Sequence, residues 1–246
     1  ERSLRAGIDC FQKAIALDSG YALAHAGIAD SFSILRIYGY VSGTEARSKA
    51  ETAARRAMDL DPTLAESHFA LAIFTLYFVG DWPTAEESFK RALELSPRTA
   101  IFHAYFGFFL AGLHRFSEAE DSFSKGIDLD PLSPLGHTLR AFSKYLAGRY
   151  GEAIQVAESA TELQPDFPIA LLAIGLANAE LGHDDTAITT LERLALVSNR
   201  TTWYLDFLGR VYASAGRKTE ARQLLEELHE RSRHEYVGPL ARLGIE

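Results

Sequence analysis

A repeat of 34 residues constrains this chain more than any other feature. Gly126, Ala160 and Leu194 fall 34 residues apart, each at the same place in a pattern of two short amphipathic segments around a tight turn. The stretch from Ala100 to Pro131 shows the unit whole. Its first segment puts His103, Phe106, Gly107 and Leu110 on one face at helical spacing, its second does the same with Ala119, Phe123 and Gly126, and residues 112–115 supply the turn. Two helices this short cannot bury their apolar faces alone, so the unit is stable only when stacked on copies of itself. The pattern therefore predicts an all-α chain, an α-solenoid of stacked antiparallel helix pairs forming one array over residues 1–246.

The copies run in order. A second helix without its first occupies residues 1–20, where Gly7, Phe11 and Ala14 repeat the spacing of Ala119, Phe123 and Gly126. Full repeats follow at about 21–63, 64–98, 99–132, 133–166, 167–200 and 201–233, and a truncated one at 234–246. Two of them are irregular. The first carries nine extra residues around positions 37–45, where Gly39 and Gly43 are expected to break the helix, and the turn at 79–83 in the next carries one. In that turn Asp81 suits an N-cap and Pro83 the first helical turn. The repeat at 133–166 places Arg140 and Lys144 where apolar residues belong. Because unpaired buried cations cost several kcal/mol, this helix is expected to rotate, burying Leu135, Leu139, Phe142 and Leu146 and leaving both cations near solvent. The competing arrangement keeps the register and pairs them with Glu158 or Glu162.

A helix–turn–helix of 34 residues with a small residue eight places into the first helix, Ala-x-x-x-Phe in the second and a closing proline resembles the tetratricopeptide repeat. The family's usual tryptophan near the start of each repeat is replaced by histidine or leucine. The opening SLRAGIDCFQKAIALDSGYALAHAGIADSFSILRIYGY, the acidic DWPTAEESFKRALELSP and the closing YVGP together resemble the C-terminal repeat module of bacterial signalling and transcriptional regulator proteins. That resemblance implies a TPR superhelix serving as the regulatory or partner-binding part of a larger protein whose output domain lies upstream.

Composition narrows the partners. A net charge of -8 argues against nucleic acid or an anionic membrane, both of which demand a basic footprint. One cysteine, Cys10, excludes an internal disulfide and a cysteine zinc cluster. No apolar run reaches the roughly 18 residues of a membrane span, and the chain is expected to be cytoplasmic, or periplasmic if a membrane span precedes it. The ends of the array are expected to expose apolar seams through which the protein self-associates.

Sequence motifs for chemistry are weak. His25, His68, His103 and His137 occupy the same slot of four successive repeats, but first helices separated by second helices would hold them too far apart for one metal ion. They are expected to fill packing slots, with a shared pH response as the alternative. His183, Asp184 and Asp185 precede a helix expected near Thr186, where aspartates cap free N–H groups. Phosphate loops, nucleophile elbows and HExxH motifs are missing, so neither an enzymatic activity nor a cofactor is expected.

Surface remains. The first-helix positions that point away from the packing seams gather Phe69, Ile73, Tyr77, Tyr105, Phe108, Leu139, Phe142, Tyr145, Leu172, Leu176, Trp203 and Arg210, with charge only towards the ends of the array, as at Asp30 and Glu66. In the family this face is concave, and a desolvated aromatic centre with polar flanks has the makeup of a hot spot. The expected occupant is an apolar or amphipathic segment of a protein or peptide, or of the protein's own upstream domain. An apolar small-molecule effector is the alternative, and a groove closed by its own aromatic rings is the structural one.

Overall fold

The computed structural model describes residues 2–38 and 40–231. The truncated repeat expected at 234–246, like Gly39, lies outside the described residues. Thirteen α-helices and no strands are found among those residues, and the chain divides into two compact units, Glu1–Phe102 and His103–Glu246.

The first unit contains α1 (Arg2–Leu17), α2 (Ala22–Ile37), α3 (Gly43–Leu60), α4 (Ala65–Phe74) with a π-helical turn (Thr75–Val79) at its end, and α5 (Trp82–Leu95). Successive helices pack on each other, and α2 also packs directly on α4, so the first helices of neighbouring repeats touch. Ala29, Phe32 and Leu35 of α2 meet Ala46, Ala50, Ala54 and Ala57 of α3 in a core that also takes in Ala70 and Phe74 of α4. Alanine lines α3 because only a small side chain lets two helices approach this closely.

Neither irregular insertion becomes a long loop. The helices α2 and α3 have 16 and 18 residues, against 13 and 14 in the regular pair α8 (Pro134–Leu146) and α9 (Tyr150–Leu163). Seven of the nine extra residues thus extend helices, and the link at 38–42 is only two residues longer than the link at 147–149. Gly43, expected to break a helix, is the first residue of α3, where the Ser42 hydroxyl accepts from the Glu45 N–H. The single extra residue of the next repeat is taken up inside the first helix. The Gly80 N–H reaches back five residues to the Thr75 carbonyl, the widened step of a π-turn. The turn after it is regular, with Asp81 accepting from the Thr84 N–H and Pro83 in the first turn of α5.

The second unit contains α7 (Phe116–Leu129), α8, α9, α10 (Pro168–Glu180), α11 (Asp184–Val197), α12 (Thr202–Ser214) and α13 (Lys218–Arg231). Helix α6 (Ala100–Gly112) begins in the first unit and ends in the second. Here too α8 touches α10, and α10 touches α12. Ala141, Ala157 and Ala173 meet in one buried cluster of α8, α9 and α10, and Gly175 is needed because a Cβ there would lie 2.6 Å from the Leu191 side chain. From α4 onward, each described turn between first and second helix passes through the left-handed region once, at Gly80, His114, Gly148, Gly182 and Gly216, with φ between 59° and 75°. These positions are 34 residues apart, and only His114 is not glycine.

The expected rotation of α8 does not occur. Lys144 and Arg140 keep only 12% and 28% of their side chains exposed, and both bind the Glu120 carboxylate of α7, Lys144 Nζ at 2.9 Å. Leu146 of the alternative stripe is instead 44% exposed. The partner is neither Glu158 nor Glu162: it comes from the preceding second helix, which reaches the seam from the other side. One carboxylate facing two cations offsets much of the desolvation penalty that made their burial look forbidding, although Arg140 Nε stays buried without a hydrogen bond.

Candidate protein-binding face

First helices touching one another changes what their side chains can do. Phe69, Ile73, Leu139 and Leu172 are 6%, 4%, 6% and 2% exposed, so these four are core residues and do not present an open surface. Phe69 stacks on Phe102 at 4.5 Å and meets the edge of Phe89 at 6.1 Å. Spacing alone assigns such positions to the open face only if a second helix separates consecutive first helices, and it does not.

The other expected positions keep accessible surface. In the first unit Tyr77 is half-buried within the π-turn, and burial, with the Tyr38 phenol second, pushes its phenol above the ordinary range. In the second unit Tyr105, Phe108, Phe142, Tyr145, Leu176 and Trp203 are half-buried and Arg210 is exposed. Tyr145 lies 5.4 Å from Tyr150, ring centre to ring centre, and donates to Glu180 Oε1 at 3.1 Å. Burial, then the Glu180 carboxylate, pushes its phenol up to about 12. Trp203 stands edge-on to Phe207 at 5.2 Å. Rings held edge-to-face and by hydrogen bonds are rigid, and rigid aromatic surface lowers the entropy lost on binding.

Two of the four histidine slots serve the backbone, while Nε2 of His25 is buried without a hydrogen bond. His68 and His137 place Nε2 at 2.8 and 2.9 Å from the carbonyls of Pro62 and Pro131, six residues earlier. Each ring ties the start of a first helix to the end of the helix before it, where a carbonyl has lost its helical donor. Such a contact needs only Nε2–H, which neutral and protonated rings both supply. Asp184 and Asp185 lie in the first turn of α11, with His183 at the N-cap and no side-chain cap bond. They complement the helix dipole there, and Asp185 also meets Arg217 at 3.3 Å.

Among the described residues two acids each bury an oxygen that accepts no hydrogen bond. Asp206 of α12, 8% exposed, has a buried Oδ2 with no hydrogen bond. Asp30 of α2 has a buried Oδ1 in the same condition, and burial, with the Glu66 carboxylate second, pushes its carboxyl up to about 8. Both escape a sequence reading, since nothing in the spacing shows which acids the packing desolvates. Among the described residues no group of three or more His, Cys, Asp or Glu side chains is placed to hold a metal ion. No helix there is long and apolar enough to cross a membrane.

A family model of the tetratricopeptide repeat matches residues 75–134 and 140–201, and a second model of the same repeat matches 201–237. No curated protein sequence matches the chain. Among solved structures, PilW, a type IV pilus biogenesis factor, is similar with a TM-score of 0.66 at 17% identity over 90% of this chain and 98% of its own. The Cut9–Hcn1 hetero-tetramer of the APC/C is similar with a TM-score of 0.71 at 16% identity, over 99% of this chain and 46% of the other. A tetratricopeptide repeat protein from Parabacteroides merdae gives 0.64 at 16% identity, over 92% and 86%. At such identities the likeness is one of fold.

Proposed function

Because the chain belongs to the tetratricopeptide repeat family, we propose that it is a non-enzymatic protein–protein interaction scaffold whose first helices hold an apolar or amphipathic segment of a protein partner. One observation carries this: in the second unit Phe108, Phe142 and Tyr145 keep accessible surface on first helices whose seams are already filled by Leu139, Ala141, Leu172 and Ala173. Aromatic surface beyond what packing uses is what a partner desolvates. The scaffold serves as the regulatory or partner-binding module of a larger bacterial signalling protein, a role supported by the resemblance of its opening and its acidic DWPTAEESFKRALELSP segment to such modules.

Photo-crosslinking tests the face directly. With p-benzoylphenylalanine in place of Phe108 or Phe142, discrete protein adducts are expected in a cell extract, and none from the same group at Glu158 on an exposed face of α9. Equal adducts from all three positions, or none from the first two, would refute the assignment. An apolar small molecule released on denaturation and seen by mass spectrometry, with no protein adduct, would favour an effector site.

A further inference from the structure

The seam between α12 and α13 is looser than its equivalent one repeat earlier. Among the described residues a Cβ built at Gly209 would meet only Leu224 Cδ2, at 3.5 Å, whereas one built at Gly175, 34 residues before it, would lie 2.6 Å from the Leu191 side chain. The slack opens into a cleft of about 200 Å³ walled by Leu224, Leu225 and Leu228 of α13. Asp206 of α12 also lines it, 8% exposed, with Oδ2 enclosed and accepting no hydrogen bond. The same place in the three preceding repeats holds Ala104, Thr138 and Leu172, all buried. The fold therefore asks for no acid here, and an enclosed carboxylate without a partner is costly. Burial raises the Asp206 carboxyl, and the Arg210 guanidinium, one helical turn away, only partly offsets it. Arg210 and Arg222 stand exposed at the mouth of the cleft. Arg210 holds the slot of Phe108, Phe142 and Leu176 in the preceding repeats, so the cleft continues the row of positions proposed above.

We propose that this cleft seats one tryptophan side chain of the protein partner, its indole N–H donating to the Asp206 carboxylate and its ring lying against the leucines beneath Arg210 and Arg222. The proposal rests on the scaffold function above and names one residue that the partner must carry. A cavity of about 150 Å³ in a protein core holds benzene, so this one suits a somewhat larger ring system. Charge narrows the class further. A lysine or arginine would meet two guanidiniums at the mouth for one carboxylate within, and an aspartate or glutamate would be set against Asp206, which leaves a neutral occupant. It must be largely apolar for the leucine wall and carry a donor for the acid. Indole is both, and unlike a phenol or an amide it brings no acceptor of its own to be left unsatisfied. Its face is also the aromatic surface that attracts guanidinium groups best. A turn about χ2, a soft torsion in aspartate, brings the enclosed Oδ2 to the cleft.

Titrating N-acetyltryptophanamide into the whole chain should give saturable shifts in the 13C-methyl signals of Leu224, Leu225 and Leu228. Its 1-methylindole derivative, which keeps the ring and lacks the donor, should bind about tenfold more weakly. Asp206→Ala, with the residue type found at position 104, should erase that difference, and Ala213→Phe, at an exposed position of the mouth, should abolish binding of both amides. Equal affinity for the two amides in the unaltered protein, no saturation, or tighter binding of n-butylammonium would overturn the proposal. So would binding of free indole without N-acetyltryptophanamide, which would make the cleft a small-molecule site. If Asp206→Ala fails to fold, the two amides on the unaltered protein and Ala213→Phe still decide. Crosslinks from Phe108 and Phe142 with no methyl shifts would sink the tryptophan seat alone, whereas methyl shifts without crosslinks would remove only the wider face.

Discussion

His114 occupies a backbone position that the four related turns give to glycine. Its φ of 59° places a Cβ where the left-handed conformation costs an L-residue about 1–2 kcal/mol, offset in part by an edge contact with the Phe116 ring at 5.5 Å. His114→Gly should therefore raise stability by about 1 kcal/mol in chemical denaturation. Glu120 works in the opposite sense. Burial pushes its carboxyl up, but the bonds from Arg140 and Lys144 prevail and hold it below the ordinary range. The stability it contributes is present above the usual carboxylate range and is lost as pH falls through its lowered value. Glu120→Gln, which leaves two mostly buried cations without a counter-charge, should cost about 2 kcal/mol at neutral pH, a figure reduced from that of a fully buried pair because the carboxylate stays partly exposed. Asp30 has the reverse linkage. With its carboxyl raised to about 8, the protonated form favours the fold, so stability is greatest below the ordinary aspartate range and declines as pH rises through about 8. Asp30→Asn should remove that decline, which denaturation at pH 5 and pH 8.5 would show.

At the scale of helices, periodicity exposed most of the fold. Apolar spacing located the helix pairs from Ala65 to Arg231, and the cap at Asp81 with Pro83 behind it stands where the residue types put it. What spacing could not show is where extra residues go. Insertions read as loops because glycine marks them, yet a helix that can bury another turn gains more than a loop does, and α2 and α3 grew accordingly. The π-turn is hidden for the same reason: one added residue looks identical whether it widens a turn or a helix. Its hydrogen-bond geometry is poorer than an α-turn's, so amides at 76–80 should exchange faster than those at 142–146 in α8, measurable by exchange mass spectrometry. The candidate face was half legible. Phe108, Phe142 and Tyr145 keep the accessible surface their positions suggest, whereas Phe69, Ile73, Leu139 and Leu172 vanish into the contacts between first helices. Lys144 and Arg140 were misjudged because their counter-charge, Glu120, lies 20 or more residues away on another helix.

For the whole molecule, stability in a repeat protein is a sum of local units and the interfaces between neighbours. Loss of surface that no interface uses should then leave the fold intact. Phe108→Ala combined with Phe142→Ala is expected to abolish partner capture while helicity is kept and Tm falls only modestly, Phe142 also packing against the Ala141, Ala157 and Ala173 cluster; a loss of several kcal/mol would identify both rings as core. The π-turn has one more consequence, for ancestry. The family model first matches at residue 75, the opening residue of that turn, although helix pairs of the same kind precede it. Upstream, an insertion of nine residues, most of it taken up by lengthened helices, has broken the 34-residue metre. Packing tolerates a beat added inside a helix, but a template that counts positions does not, so the record of duplication in this chain survives in its interior further than in its letters.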